Sequence, residues 1–176
     1  MKLASYTSNR KGFNGLFNKL IRKRFNGAYS HNEVVFEPSD GVDHLMPDGT
    51  TQPDANGAVW CGSADGTDFI PAHSTYRAGK RGGVRLKRIV IDDTKWDIIP
   101  YKKNPLPAAI WFVVHQGKAY DWRLIGSFTG VIMSILMEHS NDKVVCSEAC
   151  LACTGFKEAQ RVDPCLAHVI VQSYND

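Results

Sequence analysis

The chain has 176 residues, 43% of them hydrophobic, enough to bury one sizeable core and to argue for one domain over residues 1–176 rather than two. Its formal net charge of +3 is too small to argue for a nucleic-acid partner without a concentrated basic patch. The longest apolar stretch, Gly130 to Met137, falls far short of the ~20 residues a membrane span needs, so none is expected.

Met1-Lys2-Leu3-Ala4 runs into polar sequence rather than the apolar heart of a signal peptide, which predicts cytoplasmic synthesis without an export signal. Phe13, Leu16, Phe17, Leu20 and Ile21 then recur at i, i+3, i+4, i+7 and i+8. Lys19, Arg22, Lys23 and Arg24 cluster on the last turns, where the helix dipole favours cations. Such a helix suits a membrane surface, but it leads straight into a strand, and packing on the core with a solvated basic edge is the preferred reading. That strand is His31-Asn32-Glu33-Val34-Val35-Phe36, rich in β-branched and aromatic residues. Alternation places His31, Glu33 and Val35 on one face.

From Glu37 to Asn56 the density of Pro, Gly, Asp and Thr predicts a loop or a pair of turns, long enough to shape a cleft. Ala58 to Cys61 is a short strand candidate, and a polar stretch follows from Gly62 to Gly83. Val84 to Asp92 and Trp96 to Ile99 read as strands. Lys80-Arg81, Arg85, Lys87 and Arg88 suggest a basic strip for an anionic polymer. It lacks aromatic interleaving, and the alternation from Val84 to Lys87 is what a half-exposed strand shows anyway, so a solvated face is favoured. A helix is expected after Pro107, over Ala108 to Gln116, and a longer one from Asp121 to His139, kinked near Gly126 and Gly130. A last turn at Pro164 to Ala167 and a strand at His168 to Val171 close the chain. The order of elements predicts an α+β fold, an antiparallel sheet packed against helices.

Five cysteines, an odd number, fit reduced thiols better than a disulfide framework. Cys146 ends the apolar run Lys143-Val144-Val145 and opens Cys146-Ser147-Glu148-Ala149-Cys150, a strand-to-helix junction. A helix start favours the reactive thiolate through its unpaired N–H groups and partial positive charge. A nucleophilic cysteine also needs a base, which can lie far away in sequence. His31 offers that base, with Glu33 placed to orient the imidazole. Cys150 and Cys153 fall one and two turns on from Cys146 and read as core. His44, His73, His115, His139 and His168 have no partner close by in sequence. A rival set of soft ligands, Cys146, Cys150, Cys153, Cys165 and His168, has the content of a zinc or iron–sulfur site. Helical spacing, however, spreads its first and third sulfurs over ~10 Å of rise.

His31 before its strand, Tyr120-Asp121-Trp122 before the long helix and Val145-Cys146-Ser147-Glu148 before the next one resemble the permuted papain-like cysteine hydrolases of the NlpC type. The segment Tyr29 to Phe36 is similar to the family's His strand, especially in phage-encoded members. Asp163-Pro164-Cys165-Leu166-Ala167 is similar to its short proline turn. The resemblance implies Cys146 as nucleophile, His31 as base, and Glu33 as the orienting residue, with Ser63 the competing candidate. It also implies an oxyanion held by the Cys146 backbone N–H and an acyl-enzyme formed without a cofactor or metal. Substrates in the wider family are cell-wall peptides, other amides or lipid acyl groups. A peptidoglycan peptide is the first choice, and a lipid acyltransferase or thioesterase on the same Cys and His is the alternative. The working compartment would be a host cytoplasm or a virion.

Overall fold

A computed structural model describes residues 1–8, 19, 22–23, 26–65, 83–120 and 143–176. The helix expected around Phe13 to Ile21, the one expected from Asp121 to His139, and the positions of His73, Lys80, Arg81, Asp121, Trp122 and His139 lie outside the described residues.

Among the described residues a sheet forms from β1 (Lys2–Tyr6), β2 (Asn32–Val35), β3 (Val59–Asp65), β4 (Gly83–Ile89), β5 (Trp96–Pro100), β6 (Ala119–Tyr120) and β7 (Lys143–Val144). The spatial order is β5-β1-β2-β3-β4-β6-β7, with every neighbouring pair antiparallel except β6 and β7. The α-helices described in full are α1 (Pro105–His115), α2 (Cys146–Ala152) and α3 (Pro164–Ser173). The fold is therefore α+β, with a sheet that is antiparallel apart from the β6–β7 pair packed against helices. No described helix is long and apolar enough to cross a membrane.

Period-two alternation divides the strands between two faces. Leu3, Val34, Phe36, Trp60, Val84 and Leu86 enter the main core with Phe112 of α1, Leu151 of α2 and Val171 of α3. Ala4, Tyr6, Val35, Cys61 and Trp96 form a smaller cluster of their own. Helix α2 lies against β2 and β3, α3 against β1, β2 and β5, and α1 against β3 and β4. This arrangement brings the helix that begins with Cys146 onto the strand that follows His31.

Three local expectations are corrected. The first strand, β1, was not foreseen. It lies between β5 and β2, with Ala4 opposite Glu33 and Ser5 opposite Asn32. The polar stretch expected from Gly62 does not begin there, because β3 continues through Ser63 to Asp65. The turn at Pro164 to Ala167 and the strand at His168 to Val171 are together helix α3. Local chemistry explains the helix. The Asp163 carboxylate caps it by accepting from Cys165 N at 2.8 Å and Leu166 N at 3.0 Å, and Pro164 occupies the first turn, where its missing N–H costs nothing. Ala167, His168 and Val171 then share the buried face, and Val169 faces out. A run of β-branched residues is compatible with a helix when tertiary packing takes one side of it.

The loop from Glu37 to Asn56 holds two 3-10 turns, Pro38–Asp40 and Asp43–Leu45. Arg88 of β4 fastens it. Its Nε and Nη2 donate to Asp48 at 2.9 and 2.7 Å, Nη1 donates to the Gln52 and Ala58 carbonyls at 2.8 and 2.9 Å, and the guanidinium lies 4.9 Å from the Trp60 ring centroid.

Candidate functional site

The three residues singled out in sequence meet at the N-terminal ends of β2 and α2. His31 stands one residue before β2, its carbonyl accepting from Tyr6 N at 2.8 Å. Its Nε2 donates to Glu33 Oε1 at 2.8 Å, so the two side chains share one side of the strand as alternation predicts. An ionised carboxylate only accepts, which puts the proton on Nε2 and leaves Nδ1 for another partner. Cys146 is the other group that acts on the imidazole, its charge favouring the protonated ring.

Burial works against the His31 imidazolium, but the charge and hydrogen bond of Cys146, followed by those of Glu33, outweigh it and push the pKa up to about 10. Glu33 is a wholly buried carboxylate. Burial alone would raise its pKa, yet Arg85 and His31 together hold it down to about 2. Arg85 meets it as a fork, Nη2 donating to Oε1 at 2.6 Å and Nη1 to Oε2 at 3.2 Å, and Nη2 also reaches Asp65 Oδ2 at 3.3 Å. Arg85 was read as part of a solvated basic face, and that reading is corrected. Its side chain is only 18% exposed and turns Nη1 and Nη2 to two carboxylates.

Cys146 is 3% exposed and is the first residue of α2, after Val145 in an extended conformation. Glu148 accepts from Val145 N at 3.4 Å, which closes the helix start from the carboxylate side. Ser147, buried, donates to the Val162 carbonyl at 2.6 Å and ties α2 to the segment leading into α3. These contacts fix the direction in which Cys146 leaves the helix. Trp96 lies beside the imidazole, its ring centroid 6.3 Å from that of His31, and Tyr6 meets Trp96 edge-on at 4.9 Å.

Ser63, the competing orienting residue, does not address His31. Its hydroxyl donates to the Asn32 carbonyl at 2.6 Å. The β2–β3 ladder is limited to Val34 with Gly62 and Val35 with Cys61, and the Ser63 hydroxyl bridges the two strands just beyond it. Asn32 in turn donates to Ser5 Oγ at 2.8 Å, and Ser5 Oγ meets His168 Nδ1 at 2.9 Å. His168 stacks on Tyr29 with centroids 4.4 Å apart and has Asp97 within 3.7 Å of its Nε2, while Tyr29 OH donates to Asp97.

The soft-ligand set therefore does not converge. His168 is turned to Ser5, Tyr29 and Asp97, Cys165 Sγ lies 3.6 Å from the Tyr29 carbonyl, and Cys153 Sγ lies 3.2 Å from the Cys150 carbonyl. Among the described residues no group of three or more His, Cys, Asp or Glu side chains is placed to hold a metal ion. Burial pushes the Cys61, Cys150, Cys153 and Cys165 thiols up, which keeps them protonated and unreactive near neutral pH. His115 packs on Trp111 and bonds its carbonyl at 2.8 Å, away from the site.

Sequence reasoning missed Arg85. Its local pattern is that of any edge-facing strand residue, and only the pairing of β3 with β4, which sets Arg85 opposite Ser63, carries it toward Glu33. The one available signal was a demand: a carboxylate on an inward strand face requires a cation. No protein-family model, curated protein or solved structure matches this chain.

Proposed function

We propose that the protein is a cysteine hydrolase of the permuted papain-like, NlpC-type architecture, cleaving an amide bond in a peptide, with a cell-wall peptidoglycan peptide as the first substrate class to try. One observation carries the reading. Cys146, more than a hundred residues from His31 and Glu33 in sequence, acts on the same imidazole whose Nε2 donates to the Glu33 carboxylate at 2.8 Å. The order of roles is that of a nucleophile, its base and the group that orients the base.

In this mechanism the Cys146 sulfur, as thiolate beside the His31 imidazolium, adds to the scissile carbonyl. Negative charge develops on the carbonyl oxygen, and the Cys146 backbone N–H donates to it. His31 then gives its proton to the leaving amine, the C–N bond breaks, and an acyl-enzyme thioester remains. Water enters, His31 takes its proton, and the thioester hydrolyses to release the acid and the free cysteine. Glu33 keeps the imidazole proton on Nε2 throughout and stabilises the charged ring without taking the proton itself.

The test is intact-mass and peptide-level labelling with a thiol electrophile near neutral pH, followed by incubation with soluble peptidoglycan fragments. Among the five cysteines, Cys146 is expected to label fastest, and His31→Ala to slow it by at least ~100-fold. Fragment cleavage should vanish in Cys146→Ala. If Cys146 labels no faster than Cys165, or if His31→Ala leaves its rate unchanged, the reading fails. Turnover of a lipid acyl ester but no peptide would retain the dyad and replace the substrate class.

A further inference from the structure

We propose that Arg85 is a positioning residue of this site: its guanidinium is the counter-charge that lets the Glu33 carboxylate and the Cys146 thiolate stand together on one imidazolium. The inference rests on the cysteine-hydrolase reading above and adds to it a residue that the resemblance does not supply.

Glu33 stands in a cluster of ionisable groups. His31 and Arg85 bond it, Cys61 of β3 and Cys150 of α2 feel its charge, Asp65 of β3 bonds Arg85, and Cys146 of α2 acts on His31. Cys61 and Cys150 are kept neutral, first by burial and then by other charges that include Glu33 itself, so neither offers compensation. A working dyad then has two buried anions, the thiolate and Glu33, and one buried cation, the imidazolium. Arg85 is the second cation. With it each of the two buried anions has a cation beside it, and Asp65, 18% exposed like Arg85 itself, is a further carboxylate that shares the guanidinium at 3.3 Å.

Geometry makes the role specific. Glu33 Oε1 accepts from His31 Nε2 at 2.8 Å and from Arg85 Nη2 at 2.6 Å, so both cations sit on the same oxygen. The second arm of the fork, Nη1 on Oε2 at 3.2 Å, stops the carboxylate from rotating away from the imidazole. The Glu33 side chain is 1% exposed, so water does not replace a lost partner. Without Arg85 the pocket loses the cation that its carboxylates share, and a proton is retained by Cys146 or taken by Glu33. Either way a higher pH is needed to form the thiolate, and the fixed acceptor for His31 is weakened.

The experiment measures the rate of Cys146 alkylation by iodoacetamide from about pH 4 to about pH 10 in wild type, Arg85→Met, Arg85→Lys and the double variant Arg85→Met with Glu33→Gln. Arg85→Met is expected to move the acid limb up by about one pH unit or more, a tenfold loss of labelling at any pH below both midpoints. Arg85→Lys keeps the charge and should hold the midpoint near wild type, with a lower plateau from the lost fork. The double variant removes both charges and should bring the midpoint back down. A loss of folded protein alone lowers the amplitude at every pH and leaves the midpoint in place. A midpoint in Arg85→Met within about 0.3 of wild type, or one that Glu33→Gln does not bring back, overturns the role of Arg85. If Arg85→Met does not fold, the Lys variant and the double variant decide: a Lys midpoint displaced by a unit or more refutes the charge argument. His31→Ala serves as the control. If it leaves Cys146 labelling unchanged, the hydrolase reading falls; if it abolishes labelling while the Arg85→Met midpoint stays at wild type, only the Arg85 proposal falls.

Discussion

Replacing Gly62 by Ala tests how closely the helices approach the strand beside the site. A Cβ built on Gly62 lies 2.5, 2.6 and 2.8 Å from three ring carbons of Phe112, where ordinary contact begins near 3.4 Å. The ring must retreat by roughly 1 Å to restore normal contact. Phe112 is fully buried, and Trp111 and Phe36 meet its ring edge-to-face at centroid distances of 5.2 and 6.2 Å, so it has no free direction to move in. Overpacking of this kind costs about 1–3 kcal/mol. The smaller backbone entropy of Ala returns about 0.5–1 kcal/mol. The balance is a loss of about 1–2 kcal/mol, read in urea unfolding as a midpoint lowered by roughly 1 M at an unchanged slope. Phe112→Leu in the same background makes room for the methyl, and the double-mutant cycle should show a favourable coupling of at least ~1 kcal/mol. An unchanged midpoint in Gly62→Ala, or a cycle that is additive within ~0.5 kcal/mol, refutes the close-approach argument.

Other outcomes follow from the same contacts. The Glu33 pKa, held down to about 2 against an ordinary 4.5, contributes stability that is complete above about pH 4.5 and lost as the pH falls toward 2. His31, raised to about 10 against an ordinary 6.5, contributes stability that is complete below about pH 6.5 and lost as the pH rises through 10. Together they place the site's largest contribution between those two ordinary values; Glu33→Gln should flatten the acid side of a urea-midpoint profile, and an unaltered acid side would contradict this. Asp163→Ala removes both acceptor contacts at the start of α3 and should cost about 1 kcal/mol in the same unfolding assay, with Asp163→Asn retaining most of it; equal losses would argue against the cap. Arg88→Met should release the loop around Asp48 to Ala58, seen as amide exchange faster by at least ~10-fold there and unchanged in α2. Uniform acceleration through the chain would show that Arg88 supports the sheet instead of the loop.

The chemistry-bearing residues were legible because each sits in a short local pattern. Cys146 lies where an apolar run passes into a helix start, and His31 and Glu33 lie two apart on a β-branched strand, so their placement depends on periods of 3.6 and 2 that any nearby stretch reveals. The α+β character was legible for the same reason. Local pattern failed at β1, whose Leu3-Ala4-Ser5-Tyr6 becomes a strand only because β5 and β2 pair with it on both sides. It failed again at His168-Val169-Ile170-Val171, where β propensity yields to the Asp163 cap and to burial against β1, β2 and β5.

By itself, then, the sequence of residues determined which side chains carry reactive groups, which segments are amphipathic, and that His31 and Glu33 share a strand face. Only the tertiary structure decided that the charge of Cys146 reaches His31, that Ser63 bridges two strands instead of orienting the imidazole, and that Arg85 clamps Glu33. The physical reason is range. Periodicity and capping act over a turn or two of chain, whereas a buried charge is balanced by whatever strand register and helix packing bring within ~3 Å of it, and those depend on the whole sheet at once.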